Sequence, residues 1–129
     1  MIYTSRFSNP ELKSGNYAAV RVSVGSPRWK VGYDIVGAIK DLMPAGLRHI
    51  EDVNDFRPRY YEQLERVGVD RISEQIAKFE LSGKLVVLLC FCDIRKPDWW
   101  CHRRVFADWW QEKTGEIIEE LIDMSPIKK

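Results

Sequence analysis

The feature that most constrains the fold is a continuous apolar run, Leu85–Phe91, which reads Leu-Val-Val-Leu-Leu-Cys-Phe. A strand with one face in water alternates apolar and polar residues, whereas this run has no charged or strongly polar position. Such a pattern is typical of a strand that lies inside a parallel sheet and is covered on both faces. The run is far shorter than the roughly 20 residues that a membrane-spanning helix needs. We therefore expect an α/β protein with a buried central strand.

The segments on either side of this run predict further strands and helices. Met1–Phe7 and Tyr17–Val24 are rich in β-prone residues and end at Pro- or Gly-containing turns, so we predict a strand in each. Apolar residues at helical spacing predict four helices, over residues 33–43, 54–68, 70–83 and 99–113. The predicted N-caps of the last three are Asn54 or Asp55, Asp70 and Asp98. Glu116–Asp123 fits either a helix face or a short strand.

A chain of 129 residues with this order of elements corresponds to about one domain. The expected architecture is a single α/β domain with a small, mostly parallel sheet flanked by helices. In open parallel sheets, ligands bind outside the carboxyl ends of the strands. Two loops meet that condition, Gly25–Lys30 after the second strand and Cys92–Trp100 after the buried strand.

The second of these loops leads to the residues that could carry chemistry. Cys90 ends the buried strand, and Cys101, His102 and Arg103 are predicted in the first turn of the last helix. A helix N-terminus and neighbouring positive charge lower the pKa of a thiol, so a thiolate nucleophile is chemically reasonable there. The same groups could hold an anion. We predict Cys90, Cys101, His102 and Arg103 as catalytic residues, and as ligand-binding residues in the two loops Arg28, Lys30, Asp93 and Arg95.

These residues also resemble a known family. Leu88–Phe91, followed by Cys101–Arg103 and a helix carrying Ala107–Trp110, is similar to domain-of-unknown-function family four-eight-eight. The opening Ile2–Thr4 with Ser8–Asn9 is similar to that family's first strand. The resemblance implies a small α/β domain whose site shares one Cys and a Cys-His-Arg segment, and it implies no settled activity.

The chain departs from the family pattern at two places. Arg6-Phe7 stands where the family has Gly-His, so a histidine role there is absent. Cys92 stands where the family has Glu after the Cys-aromatic pair, and Asp93 follows it. Any role of that Glu would pass to Asp93.

The expected partner is an anionic small molecule or a nucleotide, and an enzymatic role is slightly favoured over binding alone. No cofactor or metal ligand is assigned at this point. A zinc site is the alternative, since two thiols on one strand with a following Cys-His pair make four soft ligands. That set would be Cys90, Cys92, Cys101 and His102.

A second alternative is a nucleic-acid or protein binding module. The first 33 residues contain five basic side chains and one acidic one, although the whole chain has a net charge of only +1. Trp29, Trp99 and Trp100 could stack on bases. Trp109 and Trp110 lie about 100° apart on one helix, so with Phe106 they predict a wide apolar surface that could form a homodimer.

Three cysteines within twelve residues do not form a disulfide framework, which spreads its bridges along a chain. We therefore expect reduced thiols. The first residues, Met1–Arg6, lack the apolar core of a signal peptide. We expect a cytoplasmic protein with no membrane partner.

Overall fold

The computed structural model describes residues 1–127 and confirms the α/β class. Within these residues the chain forms one small domain with a five-stranded, all-parallel sheet and three α-helices. The strands are β1 Ile2–Arg6, β2 Tyr17–Arg21, β3 Ile35–Ala38, β4 Leu85–Cys90 and β5 Glu119–Glu120. The helices are α1 Val53–Val67, α2 Val69–Glu80 and α3 His102–Thr114.

The apolar run forms the central strand, as predicted. The strand order is β3-β2-β4-β1-β5, and β4 pairs in parallel with β1 and β2. The register places Ile2 opposite Val86 and Tyr17 opposite Leu85. From Val86 to Cys90 every residue is at most 2% exposed, because both faces of β4 are covered. A strand in this position needs no polar face, which explains its sequence.

The two faces of the sheet are covered differently. Val86 and Leu88 point to the face on which α1, α2 and α3 all pack. Val87 and Leu89 point to the opposite face, which is covered by a 3₁₀ turn at Pro10–Ser14, the loop before β3 and part of the C-terminal segment. The flanking helices that we expected therefore lie on one side only.

The predicted helix over residues 33–43 is wrong. The segment forms β3 and then a single 3₁₀ turn, Lys40–Leu42. Ile39 and Leu42 are buried, as a helix would also require, so apolar spacing alone did not separate the two states over so short a stretch. Residue 37, inside the strand, is a glycine because a Cβ at this position would lie only 2.6 Å from the ring of Phe79.

The start of α3 also differs from the prediction. Asp98 is not the N-cap, because its backbone adopts a left-handed conformation with φ of 63° and turns the chain. Cys101 is the N-cap, in an extended conformation, and the helix begins at His102. The predicted end is confirmed, since Gly115 caps the helix with φ of 78°. Cys101 therefore lies just outside the helix rather than in its first turn.

The expected surface of Phe106, Trp109 and Trp110 is not exposed. All three side chains are at most 4% exposed, because α3 is covered by the sheet on one side and by α1 and the segment after Gly115 on others. The indole N–H groups donate to Glu65 and Glu116 at the protein surface. These residues therefore belong to the core, and they offer no surface for self-association.

The remaining helix boundaries shift by a few residues. Asp52, rather than Asn54 or Asp55, caps α1 by accepting from the backbone N–H of Asn54. Pro58 is then the sixth residue of the helix, beyond its first turn. Gly68, rather than Asp70, precedes α2 as its cap residue. The ambiguous segment 116–123 contains the two-residue strand β5, which pairs with β1.

Candidate functional site

A pocket of about 350 Å³ lies at the carboxyl ends of β2 and β4, beside the start of α3. This is where parallel sheets bind ligands, and the volume is at the lower end of the range for small-molecule sites. Both predicted loops contribute to its wall. The lining residues are Ser23, Val24, Gly25, Pro44, Leu47, Arg48, Ile50, Phe56, Cys90, Phe91, Cys92, Trp100, Cys101 and His102.

The two predicted catalytic cysteines meet in this pocket. The structure pairs Cys90 with Cys101 as a disulfide, with the two sulfur atoms in bonding contact, whereas the sequence predicted free thiols. Their Cα atoms are 7.7 Å apart. Protein disulfides span Cα separations of roughly 4.4–6.8 Å, so the backbone here is wider than a relaxed bridge allows. The arrangement is better described as two sulfur atoms that converge on one point from separate elements.

His102 faces the same point. Its Nδ1 lies 3.6 Å from the Sγ of Cys101, and its Nε2 lies 2.7 Å from the carbonyl oxygen of Val22. A carbonyl accepts only, so Nε2 carries the proton and Nδ1 presents a lone pair towards the sulfur atoms. Burial lowers the pKa of His102 to about 4, and the imidazole is neutral at physiological pH. The side chain is a ligand or a base, rather than a positive neighbour for a thiolate as the sequence suggested.

Arg103 is buried behind Cys90 rather than in the pocket. It is 1% exposed, and its Nε and Nη2 donate to the carboxylate of Glu120 at 3.0 and 2.6 Å. Its Nη1 donates to the Sγ of Cys90 and to the carbonyl of Cys92, both at 2.9 Å. Each of these donors is bonded to a protein atom. Arg103 could therefore influence a molecule in the pocket only through the sulfur of Cys90.

The predicted ligand-binding residues lie elsewhere. Asp93 and Arg95 pair through two hydrogen bonds of 2.9 Å, and Arg95 also donates to the carbonyls of Asp123 and Ser125. This pair therefore ties the loop after β4 to the C-terminal segment. Arg28 and Lys30 are exposed and are not among the pocket-lining residues.

Cys92 is separate from the other two cysteines. Its thiol is free and half-buried, and it lines the pocket without joining the cluster of Cys90, Cys101 and His102. Burial raises the pKa of Cys92, and the charge of Arg103 opposes this shift. The four-ligand set considered from the sequence is therefore reduced to three residues.

The sequence prediction missed Phe56 and Arg48 in the wall, and it named Trp100 only as a residue that could stack on bases. Phe56 and Trp100 pack with ring centroids 4.9 Å apart, and Trp100 donates to the backbone carbonyl of Glu51. Arg48 is the only charged side chain among the lining residues. It precedes α1 in an irregular segment, and no motif in the sequence marks it.

The chain matches no family model, no curated protein and no solved structure. The resemblance to domain-of-unknown-function family four-eight-eight therefore stays a prediction. Among residues 1–127, no helix combines the length and the apolar character needed to cross a bilayer.

Proposed function

We propose that this chain binds a small, singly charged anionic molecule in the pocket beside α3, and that the sulfur and imidazole groups at the floor of the pocket act on it chemically. The observation that carries the proposal is the convergence of Cys90, Cys101 and His102 on a cavity at the carboxyl ends of parallel strands. Reactive groups that converge on an apolar cavity at the strand ends are a usual mark of a ligand site.

The charge of the ligand follows from the wall. Arg48 is the single charged residue there, and no carboxylate among the described lining residues opposes it. The first turn of α3 carries no acidic side chain, and the cap residue makes no side-chain hydrogen bond, so the positive end of the helix is not neutralised. One cation and one helix end suit a single carboxylate or phosphate group better than the several phosphates of a nucleoside triphosphate.

The body of the ligand is apolar. The side walls are formed by aliphatic and aromatic side chains, including Leu47, Ile50, Phe56 and Trp100. Such walls bind an apolar or planar group, while the few polar groups fix its orientation. An aromatic or branched carboxylic acid combines such an apolar body with a single negative charge.

A pair of probes of equal shape tests this proposal. Benzoate and benzamide are titrated into ¹⁵N-labelled protein, and NMR shift changes are followed at Gly25, Cys92 and His102. We expect saturable changes there with benzoate bound about 3-fold more tightly than benzamide, since an exposed ion pair contributes up to about 1 kcal/mol. Arg48→Gln removes the preference, whereas Arg28→Gln, an exposed arginine outside the pocket, keeps it. Equal binding of both probes, or shifts elsewhere only, contradicts the proposal.

Binding of single-stranded nucleic acid is a second proposal, supported by aromatic side chains on the surface. Trp29, Phe91 and Trp99 are each more than 40% exposed. Trp29 and Phe91 pack together, and the ammonium group of Lys96 lies 4.7 Å from the ring centre of Trp99. Exposed aromatic rings beside lysines are typical of stacking surfaces.

A gel shift with a 12-nucleotide single strand separates the two proposals. Salt-sensitive binding that Trp29→Ala weakens by 10-fold or more would support nucleic-acid recognition, since stacking contributes about 1–3 kcal/mol per base. The absence of a shift at low salt contradicts it.

We propose the cytoplasm as the location, because the thiols of the site would remain reduced there.

A further inference from the structure

We propose that Cys90, Cys101 and His102 bind one divalent metal ion, Zn²⁺ by the chemistry of the ligands, and that its fourth coordination position opens into the pocket. The two Sγ atoms and the imidazole nitrogen all lie within 4.8 Å of one another. The inference rests on the proposed function, because the ion would form the floor of the same ligand site. It differs from the sequence alternative in using three residues and in leaving out Cys92.

The imidazole is already arranged as a metal ligand. The Nε2–H group of His102 is held by the carbonyl of Val22, which leaves Nδ1 free on the side of the sulfur atoms. Histidines that bind metals almost always donate their other N–H to such an acceptor. In a tetrahedral zinc site with standard bond lengths, a sulfur and a nitrogen ligand lie about 3.6 Å apart. The Cys101 Sγ and His102 Nδ1 are separated by 3.6 Å.

The backbone spacing of the cysteines also fits an ion better than a bridge. Two sulfur ligands of one tetrahedral zinc ion are about 3.8 Å apart, compared with about 2 Å in a disulfide. The Cα separation of 7.7 Å between Cys90 and Cys101 exceeds what a disulfide spans, and it allows the two sulfur atoms to move apart by side-chain rotation and admit an ion. Cys90 is held by β4, and Cys101 is held as the cap residue of α3, so the two sulfur atoms approach the site from separate elements.

The charges balance when a dication is bound. Two thiolates and a neutral imidazole carry a charge of −2 in a buried site, and an unpaired buried charge is costly. The guanidinium of Arg103 does not supply the missing charge, because Glu120 already neutralises it. It does donate to the Sγ of Cys90 and so favours the thiolate that a metal requires. A divalent cation makes the cluster neutral.

The ligand set selects the class of metal. Two thiolates and an imidazole are soft or borderline ligands, which suit zinc and exclude magnesium and calcium as preferred ions. Three protein ligands with an open position are typical of catalytic zinc sites, whereas structural sites have four. Since all three residues line the pocket, the open position is where the anionic group of the ligand would approach.

Metal reconstitution tests the inference. Protein reduced with a phosphine under argon is titrated with Co²⁺ and then Zn²⁺, and bound metal is measured by absorption spectroscopy and by elemental analysis. We expect one ion per chain, with thiolate-to-cobalt charge-transfer bands that zinc abolishes. Cys101→Ser should weaken binding at least 100-fold. Cys92→Ser, the matched cysteine outside the cluster, should bind as the natural chain does, and circular dichroism confirms that each variant is folded.

Three results would overturn the metal site. The first is fewer than 0.2 ions per chain after reconstitution of the reduced protein. The second is an equal loss of metal in Cys92→Ser and Cys101→Ser. The third is a Cys90–Cys101 disulfide, found by peptide mapping, in protein that was alkylated at lysis. The Arg48→Gln variant separates this test from the proposed function, because it should lose the preference for benzoate and keep the metal.

Discussion

Two clusters of chemically active side chains lie near the end of β4, and they differ in whether their members satisfy one another. The first, the sulfur cluster, consists of Cys90, Cys101 and His102 and opens into the pocket. The second, the ionic cluster, joins the loop after β4 to β1 and to the C-terminal segment. Its members are Arg6, Asp93, Arg95 and Asp123.

In the ionic cluster every charge has an opposite charge within 4 Å. The Nε of Arg6 donates to Asp123 at 2.7 Å, and Arg95 pairs with both carboxylates. In the sulfur cluster the three potential ligands converge on one point, and the only charged group in contact with them, the guanidinium of Arg103, is already paired with Glu120. Charged residues in a strand-end loop are therefore not by themselves a sign of a ligand site, since the four of the ionic cluster satisfy one another. Groups that converge without a counter-charge, beside a cavity, are a better sign.

The largest expected effect comes from the residue behind the sulfur cluster. Arg103→Leu should lower the free energy of unfolding by about 3 kcal/mol, because it leaves Glu120 without its buried partner. Urea denaturation measures the change. Arg66→Leu, which removes an exposed pair with Glu62, should cost less than about 0.5 kcal/mol. If Glu120→Leu in the same chain restores none of the loss, the ion pair is not its cause.

The second prediction concerns the sulfur cluster itself. Zinc at 100 times its dissociation constant should raise the free energy of unfolding by about 2.7 kcal/mol, since a ligand of the native state stabilises it by mass action. Thermal denaturation of the reduced protein with and without zinc measures this. The gain should disappear in Cys101→Ser and persist in Cys92→Ser. A gain of equal size in both variants would place the metal elsewhere.

The third prediction tests whether the ionic cluster is structural. Hydrogen bonds from Arg95 lower the pKa of Asp93 from 3.8 to about 2. A lowered pKa stabilises the folded state above the ordinary value and ceases to do so as the pH falls towards the lowered value. Asp93→Asn should therefore cost about 2 kcal/mol at pH 7, and the difference from the natural chain should shrink between pH 3.8 and pH 2.

Denaturation curves at several pH values provide the measurement, and Asp34→Asn, at an exposed loop residue, is the control. A loss in Asp93→Asn that does not change with pH would show that the ion pair is not responsible. Metal binding should be unaffected by this variant, because the ionic cluster is separate from the sulfur cluster.

The smallest expected effect is on stability at the mouth of the pocket. Arg48 is exposed and makes no ion pair or side-chain hydrogen bond within the described residues. Arg48→Gln should therefore change the free energy of unfolding by less than about 0.5 kcal/mol, although it removes the preference for benzoate. A larger loss of stability, measured in urea, would show that Arg48 supports the fold rather than the ligand.

The parts of the fold that the sequence predicted depend on local signals. Leu85–Phe91 identified the buried strand because a run of seven apolar residues, closely preceded by a glycine, is typical of a strand covered on both faces. Gly68 and Gly115 marked helix ends because both adopt positive φ. β3 was missed because its apolar residues fit a helical period as well. Asp98 misled the prediction of α3, since an acidic residue after proline resembles a cap but here forms a left-handed turn.

The candidate site was predicted in its residues but not in their roles. The positions of Cys90, Cys101 and His102 in the sequence indicated that they lie where the buried strand leads into the last helix, and the structure brings the three together. Their roles depend on residues distant in the chain. Val22 sets the tautomer of His102, and Glu120 occupies the guanidinium of Arg103. No local pattern reveals these contacts, which arise only when the sheet and α3 are assembled.

The strand order has a consequence for how this chain is made. β1 is synthesised first, yet its partners are β4, through Ile2 and Val86, and β5, through Tyr3 and Glu119. A nascent chain on the ribosome therefore carries an unpaired β-strand while most of the sequence is translated, and unpaired strands are templates for aggregation. The sheet is completed only after Glu120 has left the exit tunnel. We therefore expect chains that are cut short before β4 to aggregate through this strand.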